Sequence, residues 1–171
     1  MSHYIVLIRG INVGVAKQVS MAALADAFAD AGHPSVRTLL RSGNVVLESG
    51  SRPAADAIES AIAERTGVSA RVLVLAASEV AEISRANPLL ADATDLSKLA
   101  TTFLEAAVDI EAPTVAAPER IVVTDRAVYQ DSPLGLSKSG VPAAWWKKLG
   151  PTATARNQNT IDKLLAMTGQ A

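Results

Sequence analysis

Four apolar stretches of strand length punctuate the first 76 residues of the chain. They lie at residues 4–8, 36–40, 44–48 and 71–75. The first is an unbroken apolar run, which is typical of a strand that is buried on both faces. The second and third are separated by a link of three residues, which predicts a β-hairpin.

Two helices are predicted between these strands. Ser20 is placed to cap the first helix, and Gly32 to end it. Pro53 suits the first turn of the second helix, which ends at Gly67. The resulting order, β-α-β-β-α-β, is the split β-α-β unit of a ferredoxin-like fold.

The remaining residues predict a smaller α+β subdomain. Three further strands, at residues 99–105, 120–124 and 126–130, are expected to form a three-stranded antiparallel sheet. Helices are predicted after Ser78, after Pro142 and, at the C-terminus, after an Asn159 cap with Asp162 as its capping carboxylate. We therefore expect an α+β protein with subdomains at residues 1–76 and 77–171.

Composition excludes several kinds of chemistry. The chain has no cysteine and two histidines, so disulfides, thiolate nucleophiles and Cys- or His-rich metal sites are ruled out. Neither a metal nor a cofactor is predicted. The apolar runs are far shorter than the roughly 20 residues that span a bilayer, and the N-terminus lacks a signal-peptide pattern. These features predict a cytoplasmic protein with no membrane partner.

Polar side chains are expected to converge at one end of the first sheet. In a ferredoxin-like sheet the first and third strands are antiparallel neighbours, so Arg9 and Asn12 would lie near Ser42 and Asn44. Arginine, amide and hydroxyl donors without an acidic neighbour suit an anion. The alternative is structural: the asparagines satisfy turn backbone, and the arginine pairs with a carboxylate.

A second polar group precedes the C-terminal helix. It contains Arg156, Asn157 and Lys163, and a helix N-terminus attracts anions. Helix capping, or an ion pair from Arg156, is the structural alternative. Lys138, next to Ser137 in a Gly/Ser/Pro loop, is a further candidate.

Three motifs carry a family resemblance: RGINVG at residues 9–14, VRTLLRSGNVVLES at 36–49 and TARNQNTIDKL at 154–164. On these, the chain resembles the bacterial Domain of Unknown Function 1697 family from end to end. The resemblance implies a ferredoxin-like N-terminal half followed by a smaller α+β part. It implies no activity, since none is established for the family. The family motifs include the polar residues that the sheet geometry and the helix terminus bring together.

The chain departs from the family pattern at three positions. Val15 replaces a second glycine in the first turn, and Gln158 replaces a tryptophan between two asparagines. His33 stands where an apolar residue is more usual, and we interpret it as a solvated turn residue, with a general base as the alternative. The tryptophan would stack on a ligand or pack between subdomains, and Trp145 or Trp146 would compensate in the second case.

Three functions are compatible with these residues. The favoured one is non-catalytic binding of an anionic ligand, either a phosphorylated small molecule or a nucleic-acid backbone. The second is an interaction or assembly protein, with a second copy of the chain as a candidate partner. The third is a hydrolase or transferase acting on a phosphorylated or carboxylated substrate, with Ser42 or Ser137 as nucleophile and Lys138 or Lys163 as base. No catalytic motif supports this third function.

Overall fold

This computed structural model describes residues 1–170 of the chain. They contain eight strands and five α-helices. The strands are β1 (Ser2–Arg9), β2 (Val36–Leu39), β3 (Asn44–Ser49), β4 (Arg71–Ala76), β5 (Leu99–Phe103), β6 (Arg120–Val123), β7 (Ala127–Asp131) and β8 (Thr154–Asn157). The helices are α1 (Met21–Asp30), α2 (Ala55–Thr66), α3 (Ala77–Arg85), α4 (Ala143–Trp146) and α5 (Gln158–Thr168). The protein is thus an α+β protein, as predicted.

The first sheet has the strand order β2-β3-β1-β4, and all of its pairs are antiparallel. The prediction that the first and third strands are antiparallel neighbours is confirmed. Their register runs from Ser2 opposite Ser49 to Leu7 opposite Asn44. The carboxyl end of β1 therefore lies beside the start of β3.

Helices α1 and α2 supply one side of the first core. Val6 and Ile8 of β1 pack in a cluster with Phe28 of α1 and Ile62 of α2, and all four are buried. Ile5 and Leu7, which alternate with them along the strand, are buried as well, so β1 is buried on both faces, as its unbroken apolar run predicts. The Ser20 hydroxyl accepts a hydrogen bond from the Ala23 N–H at 3.0 Å and caps α1, again as predicted.

The second sheet has the strand order β6-β7-β5-β8. The prediction of three strands is wrong, because β8 adds a fourth along β5, with Thr101 opposite Arg156. The Thr-Ala-Arg-Asn sequence of β8 has no hydrophobic alternation, and its pairing with β5 comes from tertiary contacts that a local pattern does not contain.

Trp145 anchors the core on one side of the second sheet. Its ring is buried in a cluster with Leu104, Val128 and Leu149. Its indole N–H donates to the Glu111 carbonyl at 2.9 Å, so the buried polar atom is satisfied. The ring of Trp146 meets it edge to face, with centroids 5.0 Å apart.

The chain divides into two units. The first consists of Met1–Val80 together with the residues from Leu164 onward, and the second of Ala81–Lys163. The end of α5 therefore belongs to the first unit. There, the Arg37 guanidinium donates to the Met167 carbonyl.

Candidate functional site

The loop between β1 and α1 is shaped by left-handed backbone and by one side chain. Gly10, Asn12 and Gly14 have φ values of 93°, 53° and 67°. The Asn12 amide donates to the Val19 carbonyl at 3.1 Å and to the Arg41 carbonyl at 2.6 Å. Its oxygen accepts from the Val19 N–H at 2.8 Å. Asn12 thus closes its own loop and ties that loop to the one before β3.

The β2–β3 turn needs glycine at residue 43. Gly43 has φ of 84°, and its carbonyl accepts a hydrogen bond from the Ile8 N–H at 2.8 Å. A Cβ atom at this position would lie 2.9 Å from the Ile8 Cβ and 3.0 Å from the Ile8 oxygen. Only a residue without a side chain allows the turn to approach β1 this closely.

Asn44 is fully buried at the start of β3. Its amide donates to the Leu39 carbonyl at 2.9 Å and to the Ser42 hydroxyl at 3.0 Å. The amide protons of Asn44 therefore hold the turn, as those of Asn12 hold its loop. Both asparagines lie at the end of the first sheet, as the sequence predicts. Both stabilise the backbone of the loops at that end.

Three basic residues lie in or next to these loops. Arg9 is exposed at the end of β1, Lys17 is exposed in the β1–α1 loop, and Arg41 is exposed in the β2–β3 turn. The Arg41 guanidinium donates to the Gln18 side-chain oxygen at 2.8 Å, a neutral partner. We call this region, comprising residues 9–20 and 40–44, the basic sheet end.

The neighbouring strand β4 carries a further arginine, whose charge is balanced by an ion pair. Arg9 lies directly opposite Arg71 in the β1–β4 register. Arg71 itself pairs with Glu59 of α2 at 3.2 Å. The basic sheet end itself contains Arg9, Lys17 and Arg41 and no acidic residue.

The residues around the start of α5 depart from the prediction. Asn157, not Asn159, caps the helix, because its side-chain oxygen accepts the Thr160 N–H at 3.0 Å. Helix α5 begins at Gln158, so Asn159 lies in its first turn. Asp162 accepts a hydrogen bond from the Gln158 side chain at 2.8 Å. The predicted cap is wrong by two residues because two asparagines flank one glutamine, and pairing of β8 with β5 decides which of them ends the strand.

Arg156 is a half-buried cation of β8. Its guanidinium donates to the Ala155 carbonyl at 2.8 Å. Burial disfavours its charged form and lowers the pKa of Arg156 to about 10, so the side chain is still protonated at neutral pH. Lys163, one turn into α5, is exposed.

Gln158 is a buried polar residue at the position where the family resemblance predicts tryptophan. It is 2% exposed, and its amide donates to the Ser84 hydroxyl at 2.8 Å as well as to Asp162. Its side-chain oxygen is buried and has no hydrogen-bond partner. This chain therefore places amide hydrogen bonds within the second unit where an indole would offer a large apolar surface.

Glu119 is a polar centre that the sequence pattern did not indicate. One carboxylate oxygen accepts from the Gln130 amide at 2.8 Å and the Ser132 hydroxyl at 2.9 Å, and the other accepts from the Gly140 N–H at 2.8 Å. Burial alone would raise its pKa. Hydrogen bonds from Ser139 and the other three donors outweigh burial and hold the pKa of Glu119 below its usual 4.5. Its position after a proline in an irregular segment gives no sequence signal.

Lys138 lines a shallow cavity of about 180 Å³ together with Glu119. Both Lys138 and Ser137 are exposed, in a single 3₁₀ turn (Leu136–Lys138). Lys138 belongs to the second unit with Arg156, Asn157 and Lys163, whereas Arg9, Asn12, Ser42 and Asn44 belong to the first.

Residues 1–170 contain neither a metal-binding cluster nor a membrane-spanning helix. No group of three or more His, Asp or Glu side chains in this part of the chain is placed to hold a metal ion. None of the described helices combines the length and apolar character needed to cross a bilayer.

Comparison with known proteins supports the fold. A family model described as "Protein of unknown function (DUF1697)" matches residues 1–129. The solved structure of the conserved bacterial protein SP0830 from Streptococcus pneumoniae is similar over 99% of each chain, with a TM-score of 0.67 and 21% identity. No curated protein matches the chain. The likeness to the solved structure establishes the fold and leaves function to the site.

Proposed function

The chain belongs to the DUF1697 family of unknown function, and on the geometry of its basic sheet end we propose that it binds an anionic ligand without catalysing a reaction. The ligand class is a phosphorylated small molecule or a nucleic-acid backbone. The observation that carries this proposal is the register of β1 with β3, which brings two loops with three cations and no acidic residue to one sheet end.

The cations are the ligand contacts in this proposal. The Arg9 and Arg41 guanidinium groups offer forked donors to a phosphate or carboxylate, and Lys17 adds a mobile point charge. Ser42 is exposed beside them and offers a hydroxyl. Lys17 has no ion pair within the described chain, so binding an anion costs it no existing partner.

Asn12 and Asn44 act as positioning residues. Their amide protons are engaged by backbone carbonyls and by Ser42, so they hold the loops rather than the ligand. A rigid loop presents its cations without a large ordering cost on binding.

The second unit carries a second candidate group, Arg156, Asn157, Lys163 and Lys138. Asn157 uses its side-chain oxygen as the α5 cap, which leaves Arg156, Lys163 and Lys138 as the cationic members. Their contribution is tested separately by Arg156→Ala.

The test is a thermal-shift and calorimetric screen of the full chain. Inorganic phosphate, nucleotides, sugar phosphates and short oligonucleotides are compared at two salt concentrations. A ligand at about 100 times its Kd stabilises the folded state by roughly 2.7 kcal/mol, which raises the Tm by about 5–10 °C in a chain of this size. Binding to oligonucleotides alone, weakening with salt, identifies a nucleic-acid backbone.

Matched variants locate the binding. Arg9→Ala, Lys17→Ala and Arg41→Ala are expected to weaken binding at least tenfold and to leave the Tm of the free protein nearly unchanged. Lys148→Ala removes another exposed lysine, in the second unit, and serves as the control. The proposal is wrong if no anion binds, or if these three variants bind as tightly as the control.

An assembly role is the second candidate. It is favoured by the hydrogen bonds of Asn12 and Asn44, which make these motif residues structural. Its signature would be a large drop in Tm for Arg9→Ala and Arg156→Ala with no ligand found, together with a concentration-dependent mass in analytical ultracentrifugation.

A further inference from the structure

Exposed aliphatic side chains gather at the basic sheet end. Five large hydrophobic residues are exposed among the described residues, and three of them lie here: Val13 at 66%, Val15 at 95% and Leu40 at 52%. Single exposed aliphatic residues are ordinary on protein surfaces. Here three of them lie in two loops that a side-chain hydrogen bond joins and that also carry three cations, so apolar and basic side chains share one region of the surface.

Side-chain hydrogen bonds hold the aliphatic and cationic residues together. The 2.6 Å bond from Asn12 to the Arg41 carbonyl places Val13 and Leu40 on directly connected segments. Gln18 donates to the Gly14 carbonyl at 2.7 Å and accepts from Arg41 at 2.8 Å. The loop that carries Val13 and Val15 is thus closed on itself and fixed to the β2–β3 turn.

We propose that the ligand of the basic sheet end is an amphiphilic anion. Its phosphate group is bound by Arg9, Lys17 and Arg41, and its aliphatic portion covers Val13, Val15 and Leu40. This inference rests on the proposed function and narrows its ligand class.

The residue types favour an aliphatic portion over a nucleobase. Neither loop contains an aromatic side chain, so a base would find no ring on which to stack. Valine and leucine instead gain free energy in proportion to the apolar area that a ligand covers. The anionic amphiphile is either a soluble alkyl phosphate or a phospholipid, and in both a phosphate group is joined to an aliphatic chain.

The test uses a series of alkyl phosphates to separate the contribution of the phosphate group, the head, from that of the aliphatic portion, the tail. Inorganic, ethyl, butyl and hexyl phosphate are titrated into the full-length protein by calorimetry, each below its aggregation concentration. Affinity is expected to rise about two- to fourfold per methylene, up to the length that the aliphatic surface covers. Vesicles of phosphatidylcholine with and without phosphatidylglycerol form the second arm, and binding to anionic vesicles but not to free alkyl phosphates assigns the lipid source.

Two variants give opposite signatures. Val15→Ser is expected to flatten the dependence on chain length while leaving the affinity for inorganic phosphate unchanged, because Val15 touches only the tail. Lys17→Ala is expected to weaken every ligand by the same factor and to keep the slope. Leu134→Ser, which alters an exposed aliphatic residue of the second unit, is the matched control and should change neither.

Each negative result has a distinct meaning. Equal affinity for inorganic and hexyl phosphate overturns the amphiphile inference and leaves the proposed function standing. Chain-length dependence that Val15→Ser and Leu134→Ser alter equally also overturns it, because the tail would then bind elsewhere. Absence of binding by phosphate, alkyl phosphates and anionic vesicles overturns the amphiphile inference. The proposed function is overturned as well if the nucleotides, sugar phosphates and oligonucleotides of the screen also fail to bind.

Discussion

Gly43→Ala is expected to destabilise the first unit. The loss of stability should exceed that of a Gly→Ala substitution at a position where the new Cβ atom would have open space around it. The new Cβ would lie 2.9 Å from the Ile8 Cβ and 3.0 Å from the Ile8 oxygen. Ile8 is buried and paired on both sides, with Gly43 and with Val72 of β4, so it has little room to move. Relieving the clash requires β1 or the β2–β3 turn to shift.

Two costs add in this variant. An L-residue in left-handed backbone costs about 1–2 kcal/mol, and overpacking a tight site costs about 1–3 kcal/mol. Gly14→Ala separates the two, because Gly14 has φ of 67° and no heavy atom within 4 Å of the position that a Cβ would take. We expect the two variants to differ by about 2 kcal/mol, the middle of the overpacking range, which corresponds to a Tm difference of about 4–8 °C.

The assay is thermal and urea unfolding followed by far-ultraviolet circular dichroism. Both tryptophans, Trp145 and Trp146, lie in the second unit, so their fluorescence would miss a local loss of structure in the first. Equal Tm values for Gly43→Ala and Gly14→Ala would refute the argument, since the contact with Ile8 would then carry no energetic cost.

Three further predictions concern single side chains. In urea unfolding followed by tryptophan fluorescence, Asn157→Ala should lower the stability of the second unit by about 1 kcal/mol. Asn159→Ala should change that stability by less than about 0.5 kcal/mol. The reverse order would show that Asn159 caps α5. Asn44→Ala should cost about 1–3 kcal/mol by circular dichroism, because the Leu39 carbonyl loses its donor inside the fold, and a neutral result would contradict that role. Because folding lowers the pKa of Glu119, its ionised form stabilises the protein above pH 4.5, and this contribution is lost as pH falls through the lower folded-state pKa. The stability gap between the wild type and Glu119→Gln should therefore close as the pH is lowered below 4.5, and a gap independent of pH would show that the charge of Glu119 is not involved.

Local pattern was sufficient for the strands and helices of residues 1–76, but not for the return of the end of α5 to the first unit. The apolar run of β1, the Ser20 cap and the glycines that end α1 and α2 are all signals carried within a few residues, and each corresponds to an observed feature. The topology then followed from the β-α-β-β-α-β order, because few arrangements of that order are compact and free of crossed connections. The convergence of the β1 and β3 ends could therefore be predicted from the order of the elements alone.

Features that depend on distant residues could not be predicted in this way. Strand β8 is defined by pairing with β5, more than 50 residues earlier, and its own sequence has no strand pattern. Glu119 gains its partners from β7 and from the loop at Gly140. The exposure of Val13 and Val15 likewise depends on tertiary structure, because the local sequence does not decide whether other residues cover an apolar loop residue.

Because the end of α5 belongs to the first unit, the ribosome synthesises that unit in two separated parts. The first unit is made of residues 1–80 and the segment from Leu164, and the whole second unit, 83 residues long, is synthesised between them. At about 5–20 residues per second, translation of that insert takes roughly 4–17 s. During this interval Leu164 and Leu165, both buried in the finished fold, and the Met167 carbonyl that accepts from Arg37 do not yet exist. The unit whose synthesis starts first is thus the last to be completed.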